Sequence, residues 1–185
     1  GTHAAHLAEY ISGLQITELC ASLNTVVDGR MLDDDGSVLL RFNNGATGVL
    51  LASQVAAGEE NALKIRVYGE KGGLEWHQME PNSLILKWLD NPTQILRAGT
   101  NYPNLSSYMT SNCRTPGGHP EGYLEAFANI YKNFANTLLA DLSGQTPTEI
   151  DIDYPNENDG VRGMAFIENV VNASNSDTKW HPLKL

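Results

Sequence analysis

Two histidines near the start of the sequence, His3 and His6, have the type and spacing most suited to chemistry. Histidine gains or loses a proton near neutral pH, and residues three apart share one face of a helix. Leu7, Tyr10 and Ile11 follow at helical spacing, which predicts that a short helix carries both rings. The pair could serve proton transfer or substrate binding, or it could be an ordinary surface or capping pair.

A second cluster lies further along the chain, where His119, Glu121 and Tyr123 immediately precede a strongly periodic helix. Histidine, carboxylate and phenol groups commonly transfer protons or bind sugar hydroxyls, and a helix N-terminus adds backbone donors. The alternative interpretation is that Pro120 and Glu121 merely begin the helix.

The composition excludes several classes of function. The formal net charge is -10, with 22 acidic and 12 basic residues, which argues against a nucleic-acid or anionic-membrane surface. Cys20 and Cys113 are far apart, form no metal-binding spacing and favour thiols in a reducing, cytoplasmic compartment. The acidic run at 33–35 could hold a cation but is equally explained as a solvated turn, so no metal site is predicted.

The glycine-rich segment at 69–73 does not predict a nucleotide site. Leu63, Ile65 and Val67 alternate with polar residues before it, and Leu74 and Trp76 resume the alternation after it. That pattern predicts a β-hairpin, whereas a phosphate-binding loop joins a strand to a helix. The chain also lacks the Walker, dinucleotide-binding, G-x-S-x-G and H-E-x-x-H motifs.

The remaining pattern predicts an α+β fold. Short alternating segments joined by turns indicate an open-faced, predominantly antiparallel sheet of six or seven strands with helices packed on one face. The helices are expected near residue 4, over 123–143 and from residue 157, with a long irregular loop at 99–118. In the second helix, an apolar stripe is expected to face the sheet, formed by Leu124, Phe127, Tyr131, Phe134 and Leu138.

The other face of that sheet would be uncovered. It carries large amphipathic side chains, including Tyr68, Lys64 and Arg66. Such a face could simply meet solvent, with the long cationic stems lying along it. We hypothesise instead that it packs against another subunit, giving a homo-oligomer.

Six runs resemble the C-terminal domain of the glucose–fructose oxidoreductase / inositol dehydrogenase / rhizopine-catabolism (Gfo/Idh/MocA) family. The resemblance extends over essentially all of residues 1–185, which we therefore expect to form one C-terminal domain. The runs are Gly-Thr-His at residue 1, Leu-Asp-Asp-Asp at 32, Ala-Ser-Gln-Val-Ala-Ala-Gly-Glu-Glu-Asn at 52, Val-Tyr-Gly-Glu-Lys-Gly-Gly-Leu-Glu-Trp at 67, Gly-His-Pro-Glu-Gly-Tyr-Leu-Glu-Ala-Phe-Ala-Asn-Ile-Tyr at 118, and Asp-Gly-Val-Arg-Gly-Met-Ala-Phe-Ile-Glu at 159.

The resemblance implies a dehydrogenase that oxidises a hydroxyl of a sugar, sugar derivative or inositol-like polyol. In such proteins an N-terminal Rossmann domain binds NAD or NADP, and the C-terminal domain shapes the substrate pocket and often builds the oligomer through its sheet. The Rossmann domain and the family's catalytic lysine are absent from this chain. This fragment alone is therefore expected to bind no cofactor and to be inactive. The alternative is a non-catalytic sugar-binding or scaffold protein on the same fold.

The resemblance also assigns roles to individual residues. Gly1-Thr2-His3 matches the end of an Asp-x-Gly-Ser/Thr-His motif, so His3 corresponds to the residue that assists proton removal from the substrate hydroxyl. His6 falls where several relatives have a substrate-binding aspartate, which leaves the substrate open. Further substrate-binding residues are expected at Glu59, Glu60, Asn61, His119, Glu121 and Tyr123.

Overall fold

The computed structural model describes residues 1–103 and 105–185, and within them the chain forms helices and antiparallel sheets. The α+β class is therefore confirmed. None of the described helices combines the length and hydrophobicity that crossing a bilayer requires. In chain order the elements are α1 (Thr2–Ser12), β1 (Ile16–Asn24), β2 (Asp35–Phe42), β3 (Thr47–Ser53), β4 (Lys64–Tyr68), β5 (Gly72–His77), β6 (Ser83–Trp88), β7 (Gln94–Arg97), α2 (Ser107–Asn112), α3 (Tyr123–Leu142), α4 (Glu157–Ser174) and β8 (His181–Pro182).

The chain divides into two compact units. Unit 1 comprises Gly1–Asn61 and Asn156–Leu185, and unit 2 comprises Ala62–Pro155. Each unit contains one four-stranded antiparallel sheet. The strands that we expected in a single sheet are thus shared between two, because the chain runs from Ser53 to Lys64 without pairing as a strand. Strand periodicity in a sequence does not specify which sheet a strand joins.

The core of unit 1 lies between its sheet, ordered β3-β2-β1-β8, and helix α4. Along β2 the residues alternate between buried and exposed, as a half-buried strand requires. Leu40 lies opposite Leu19 on β1, and Val38 lies opposite Leu50 on β3. Phe166 of α4 packs into the same cluster. This arrangement leaves the other face of the sheet open.

Helix α4 buries a different side from the one that its periodicity suggests. The larger apolar residues of this segment recur at helical spacing as Val161, Met164, Ile167 and Val171. Val161 and Met164 are exposed, whereas Ile167 packs against the core. The buried side is formed by Ala165, Phe166, Val170 and Ala173. Small residues allow a helix to approach a sheet closely, and alanine contributes little to an apolar pattern, so the periodicity of the larger residues was misleading.

The C-terminal segment adds an edge strand to unit 1. Pro182 and His181 of β8 lie opposite Glu18 and Leu19 of β1. The Leu183 amide donates to the Thr17 carbonyl at 2.8 Å, which continues the pairing. The C-terminal segment is therefore part of the sheet.

Unit 2 contains the predicted hairpin, β4–β5, but the hairpin lies at the edge of a sheet ordered β4-β5-β6-β7 and not, as we expected, at the centre of a sheet. Ile65 lies opposite Trp76, and Val67 lies opposite Leu74, on one face. The alternate positions form the other face, where Arg66 lies opposite Glu75. After β7, the segment expected to be irregular contains the short helix α2, which the Ser106 hydroxyl caps by accepting from the Met109 amide.

Helix α3 has the opposite orientation from the one predicted. Its buried residue is Asn133, whose side-chain amide donates to the Asp153 carbonyl at 3.2 Å. On the same side, the Asn136 amide donates to Asp151 Oδ1 at 3.0 Å. The stripe that we expected to face a sheet is exposed instead, at residues Leu124, Phe127, Tyr131, Phe134 and Leu138. Periodicity identified the helix and the apolar stripe correctly. The side of α3 that packs against the rest of unit 2 is nevertheless the one with the asparagines, because their hydrogen bonds allow these polar side chains to be covered.

Candidate functional site

The two N-terminal histidines lie on one helix, as predicted. His3 is in the first turn of α1 and is exposed. His6 lies one turn later and is half-buried, and its ring centroid is 6.1 Å from that of Tyr10. The helix ends at Gly13, whose φ of 67° is the left-handed conformation that favours glycine.

A carboxylate from α4 stands beside His6. Asp159 Oδ1 lies 3.9 Å from His6 Nε2, a distance that forms an ion pair when the ring is protonated. The other oxygen of Asp159 accepts from the Asn156 amide at 2.8 Å, and Asn156 in turn caps α4 by accepting from the Asn158 amide. The cap therefore fixes the orientation of the carboxylate that faces His6. Sequence reasoning did not select Asp159, although it lies in one of the six matching runs.

A bidentate ion pair fixes α1 relative to α4 and β1. Arg162 Nε lies 2.6 Å from Glu9 Oε2, and Arg162 Nη2 lies 2.5 Å from Glu9 Oε1. The same Glu9 oxygen accepts from the Ile16 amide at 2.6 Å, and Nη2 donates to the Ile16 carbonyl at 2.8 Å. The bond to Glu9 raises the pKa of Arg162 above its usual range. These contacts give the histidine-bearing helix a defined position within unit 1.

Glycine allows the first turn of α1 to approach α4. A Cβ added at Gly163 would lie 3.2 Å from Thr2 Cγ2, which is closer than an ordinary contact. A Cβ added at Gly160, one turn earlier on α4, would meet nothing within 4 Å. Thr2 directly precedes His3, so Gly163 sets how close the catalytic candidate lies to α4.

The acidic residues Glu59 and Glu60 and the neighbouring Asn61 lie after β3, at the end of the first segment of unit 1. All three are exposed. The Glu59 amide donates to the Ala56 carbonyl at 3.1 Å, around Gly58 with its φ of 85°. A tight turn therefore presents this group of polar residues at the surface.

The candidate residues before α3 lie in unit 2, in a hydrogen-bonded loop. Both carboxylate oxygens of Glu121 accept from the Arg114 amide, at 3.0 and 2.9 Å. Its backbone is held by Asn82, whose side chain donates to the Glu121 carbonyl at 2.7 Å and accepts from the amide at 3.1 Å. Glu121 thus has a structural role, but it holds the loop and does not begin the helix, contrary to the alternative interpretation.

The neighbours of Glu121 are more accessible. The His119 ring is exposed, and its Nδ1 lies 3.3 Å from the Pro116 carbonyl. Tyr123 is exposed and packs against Phe127, with ring centroids 4.7 Å apart. Glu125 begins α3 by accepting from the Gly122 amide at 2.9 Å, a bond that lowers the pKa of its carboxyl.

A cluster that the sequence did not reveal lies on the sheet of unit 2. Glu75 is only 8% exposed, and Lys87 donates to its Oε2. His77 Nε2 lies 2.7 Å from its Oε1, and Arg66 Nε lies 3.3 Å from Oε2. The bonds from Lys87 and His77 lower the pKa of Glu75 to about 2. The sequence signal was present, since these residues alternate along β4, β5 and β6, but cross-strand register is needed to bring them together.

A cavity of about 180 Å³ lies beside this cluster, and its lining includes the apolar side chains of Ile85 and Ile95 with Arg97 at its edge. A groove of about 290 Å³ lies near the end of α3, and its lining includes Asn136 and Asp151. Neither cavity is lined by one of the predicted site residues.

The acidic run at 33–35 stabilises a loop. Asp34 is buried and accepts from the amides of Val26 and Val27 at 2.7 and 3.1 Å, and from Arg30 Nη1 at 3.1 Å. The Val26 bond, with the others, lowers the pKa of Asp34. Over the described ranges, no three His, Cys, Asp or Glu side chains converge in a way that could hold a metal ion.

Comparison with known proteins identifies relatives that are about twice as long. Residues 1–75 match the sequence model of the GFO/IDH/MocA C-terminal domain. An uncharacterized oxidoreductase of Bacillus subtilis, YfiI, is 32% identical over 187 residues, which represent 99% of this chain and 47% of that protein.

Solved structures similar to this chain are also about twice as long. An oxidoreductase from Sinorhizobium meliloti is 42% identical, with a TM-score of 0.90 over 98% of this chain and 50% of that one. An inositol dehydrogenase homolog from Azotobacter vinelandii, complexed with NADH and myo-inositol, is 31% identical, with a TM-score of 0.85 over 98% of this chain and 48% of that one. The chain thus spans about half the length of the relatives it matches.

Proposed function

We propose that this chain is a Gfo/Idh/MocA C-terminal domain and forms the substrate-binding and oligomerisation half of a cytoplasmic NAD(P)-dependent oxidoreductase. The substrate is a sugar, sugar derivative or inositol-like polyol, which loses hydrogen from a CH–OH group. The similarity to an inositol dehydrogenase homolog complexed with NADH and myo-inositol supports this substrate class.

The dinucleotide belongs to an N-terminal Rossmann domain outside this chain. The glycine-rich segment at 69–73 joins the antiparallel strands β4 and β5. A dinucleotide site needs a strand followed directly by a helix whose N-terminus faces the pyrophosphate, so this segment does not fit the cofactor. The bound nicotinamide supplies the hydride acceptor, and this chain supplies groups that bind and deprotonate the substrate.

The observation that carries the proposal is the position of His3. It lies exposed in the first turn of a helix that Glu9 and Arg162 fix in place, one turn before a second histidine. His3 accepts the proton of the substrate hydroxyl, which leaves the oxygen able to form a carbonyl. His6, backed by the carboxylate of Asp159, contacts a neighbouring hydroxyl of the same substrate.

We expect polar groups in other segments to bind substrate hydroxyls as well. The exposed side chains of Glu59, Glu60 and Asn61 can accept or donate hydrogen bonds to polyol hydroxyls. In unit 2, Tyr123 and His119 offer a phenol and an imidazole for the same kind of contact, while Glu121 holds their loop through Arg114. A substrate that carries hydroxyls on several carbons suits these neutral and anionic side chains.

The open sheet faces build a homo-oligomer. In unit 1 the open face exposes Leu39, Val49 and Leu51, which alternate with core residues along β2 and β3. In unit 2 the corresponding polar face exposes Tyr68. Exposed apolar side chains on a sheet favour association with another copy of the same surface.

The test compares this chain with a protein that also carries the nucleotide-binding half. The longer protein should reduce NAD⁺ or NADP⁺ with members of a sugar and polyol panel, whereas the chain alone should not quench NADH or NADPH fluorescence. Nicotinamide binding by the chain alone would contradict the domain assignment. Cofactor binding by the longer protein without turnover on any polyol would favour the non-catalytic scaffold instead.

A further inference from the structure

Arg97 of β7 is a cation with no carboxylate partner among the residues that the structure describes. Its guanidinium group donates to the Ser83 hydroxyl on β6, and the two residues lie opposite each other in the sheet. By contrast, Arg41, Arg66 and Arg162 each lie within 3.3 Å of a carboxylate oxygen. A guanidinium group without an acidic partner is suited to binding an anion from solution.

The hydroxyl of Ser83 is able to donate to the same anion. Its oxygen accepts from Arg97 Nη1, so its own hydrogen remains for a bond to another group. The guanidinium group also has further N–H donors besides the one that bonds to Ser83. The two side chains therefore offer donors next to each other, an arrangement that matches the two oxygens of a carboxylate.

Both residues line the cavity of about 180 Å³ on the polar face of the unit 2 sheet. Every residue that lines this cavity belongs to unit 2, so the site is complete within that unit. Pockets that hold drug-sized ligands usually measure ~300–1,000 Å³. The cavity therefore suits a smaller molecule.

The surface next to these donors is apolar. Ile85 lies opposite Ile95, and both line the cavity. They are two positions along β6 and β7 from Ser83 and Arg97, so they lie on the same face about 7 Å away. Ile95 is 60% exposed, which leaves apolar surface for a ligand to cover. An aliphatic chain of about five carbons, with bonds of roughly 1.5 Å, extends from the donors to both isoleucines.

The charges around the cavity favour a ligand with one negative charge. Glu75 and Glu80 line the cavity together with Arg97, and Glu75 pairs with Lys87 and Arg66. These three cations and two carboxylates leave one positive charge without a partner. The low pKa of Glu75 keeps its carboxylate ionised near neutral pH. A second anionic group on the ligand would be repelled by these carboxylates, which disfavours dicarboxylates and phosphate dianions.

We propose that this cavity binds a small aliphatic monocarboxylate of about five carbons. Its carboxylate bonds to Arg97 and Ser83, and its chain covers Ile85 and Ile95. The site goes beyond the proposed function, because none of these four residues is assigned to the polyol or to the cofactor.

Amide NMR titrations of this chain with butyrate, valerate and isovalerate test the site. The chemical shifts should saturate, with a Kd below about 10 mM for at least one of the three, and should be largest at residues 83–85 and 95–97. Shifts that do not saturate for any of them, or that are largest elsewhere, would overturn the proposal.

Three further probes test the class of ligand. Acetate lacks the aliphatic chain and should bind at least about tenfold more weakly than the best of the three. The uncharged 3-methylbutanol should lose about as much, because it cannot pair with Arg97. Succinate should also bind more weakly, since its second carboxylate faces Glu75 and Glu80. Succinate binding as tightly as isovalerate would contradict the restriction to one negative charge.

An arginine variant and a matched lysine variant separate a specific contact from net charge. Arg97→Gln should weaken binding by roughly 10- to 100-fold, because it removes a charged hydrogen bond. Lys71→Gln removes the same charge from the exposed β4–β5 turn, does not line the cavity and should leave the affinity unchanged. Equal losses in the two variants would mean that net charge alone attracts the anion, and would overturn the site.

A variant of the apolar surface tests the position of the aliphatic chain. Ile95→Ala should weaken the binding of isovalerate severalfold but leave that of acetate unchanged, because acetate does not reach residue 95. Ile95 is largely exposed, so the variant should keep the far-ultraviolet circular dichroism of the wild type, and Ile95→Val provides a milder change. An unchanged affinity for isovalerate in Ile95→Ala would contradict the placement of the chain.

The site and the proposed function are tested separately. If the protein that carries the nucleotide-binding half oxidises a polyol but binds none of the three monocarboxylates, the result overturns this site alone. If it binds a monocarboxylate at residues 83–97 but oxidises no polyol, the result supports this site and contradicts the proposed function alone.

Discussion

Arg162 of α4 binds Glu9 of α1 through two parallel hydrogen bonds, 2.6 and 2.5 Å long. Both side chains are largely shielded from solvent, with exposures of 21% and 16%. The pair is also joined to the Ile16 backbone, where β1 begins. This ion pair therefore holds the helix that carries His3 and His6 against the elements that form the core of unit 1.

Arg162→Ala should destabilise the protein by about 2–4 kcal/mol, because it leaves the Glu9 carboxylate partly buried and without its cationic partner. Urea denaturation would measure the change. Arg162→Lys should cost less, since it keeps the charge but not the bidentate geometry. Glu18→Gln is the control: Glu18 pairs with Arg41 at the surface, where both are about 40% exposed, and should cost only ~0.5 kcal/mol. Equal losses of unfolding free energy for Arg162→Ala and Glu18→Gln would contradict the role of the Arg162–Glu9 ion pair in holding α1 in place.

Two glycines of α4 provide a matched pair of alanine variants. Gly160→Ala should stabilise the protein by about 0.5–1 kcal/mol, because a Cβ there meets open space and alanine favours a helix. Gly163→Ala should lose that gain, because its Cβ would press on Thr2. In a protein that carries the nucleotide-binding half, Gly163→Ala should also lower turnover, while Gly160→Ala should not. Identical thermal shifts for the two variants would show that the close approach at Thr2 is unimportant.

His3→Ala should lower kcat/KM of the longer protein by ~100- to 10,000-fold, the usual contribution of a general base. His181→Gln is the control, since His181 lies on β8 with its Nε2 3.0 Å from the Thr178 carbonyl. A loss of less than about tenfold for His3→Ala would exclude His3 as the general base.

Glu75 should make stability dependent on pH in the acid range. Its pKa falls to about 2 in the folded protein from an ordinary 4.5, mainly because Lys87 and then His77 bond to the carboxylate. A depressed pKa contributes stability that is fully present above the unfolded value. That contribution should be lost as the pH falls from about 4.5 to about 2.

Glu75→Gln should therefore be less stable than the wild type at pH 7 and should lose less stability between those two pH values. Melting temperatures measured across the acid range would show the flatter curve. Glu80→Gln, at an exposed position, should follow the wild-type curve. Parallel curves for Glu75→Gln and the wild type would contradict the assignment.

The sequence predicted most strands and helices because their signals are local. Alternation at Ile65 and Val67 and the turn glycines defined the β4–β5 hairpin, and the periodicity of Phe127 and Tyr131 defined α3. The orientation of α3 was not predictable, because it depends on two asparagine side chains bonding to residues 20 and 15 positions away. Helical periodicity identifies an apolar side but not what covers it.

The candidate site likewise combines local features that the sequence predicted with contacts between distant residues that it did not predict. The spacing of His3 and His6 placed both rings on one helix, but the carboxylate beside His6 comes from Asp159, more than 150 positions later. The cluster around Glu75 likewise depends on the register of three strands. Predicting such contacts requires knowing which distant residues lie together in the fold. The residue types alone indicate only which bonds each side chain can form.

The final strand has a consequence for how the sheet of unit 1 meets other chains. Proline lacks an amide hydrogen, so Pro182 offers no donor to a strand adding beyond β8. A strand of another chain that paired with this edge would have one carbonyl without a partner at Pro182, which disfavours aggregation through the edge strand. Replacing Pro182 with a residue that has an amide hydrogen would add a donor to this edge and favour pairing with another strand, with little effect on the fold of the chain itself.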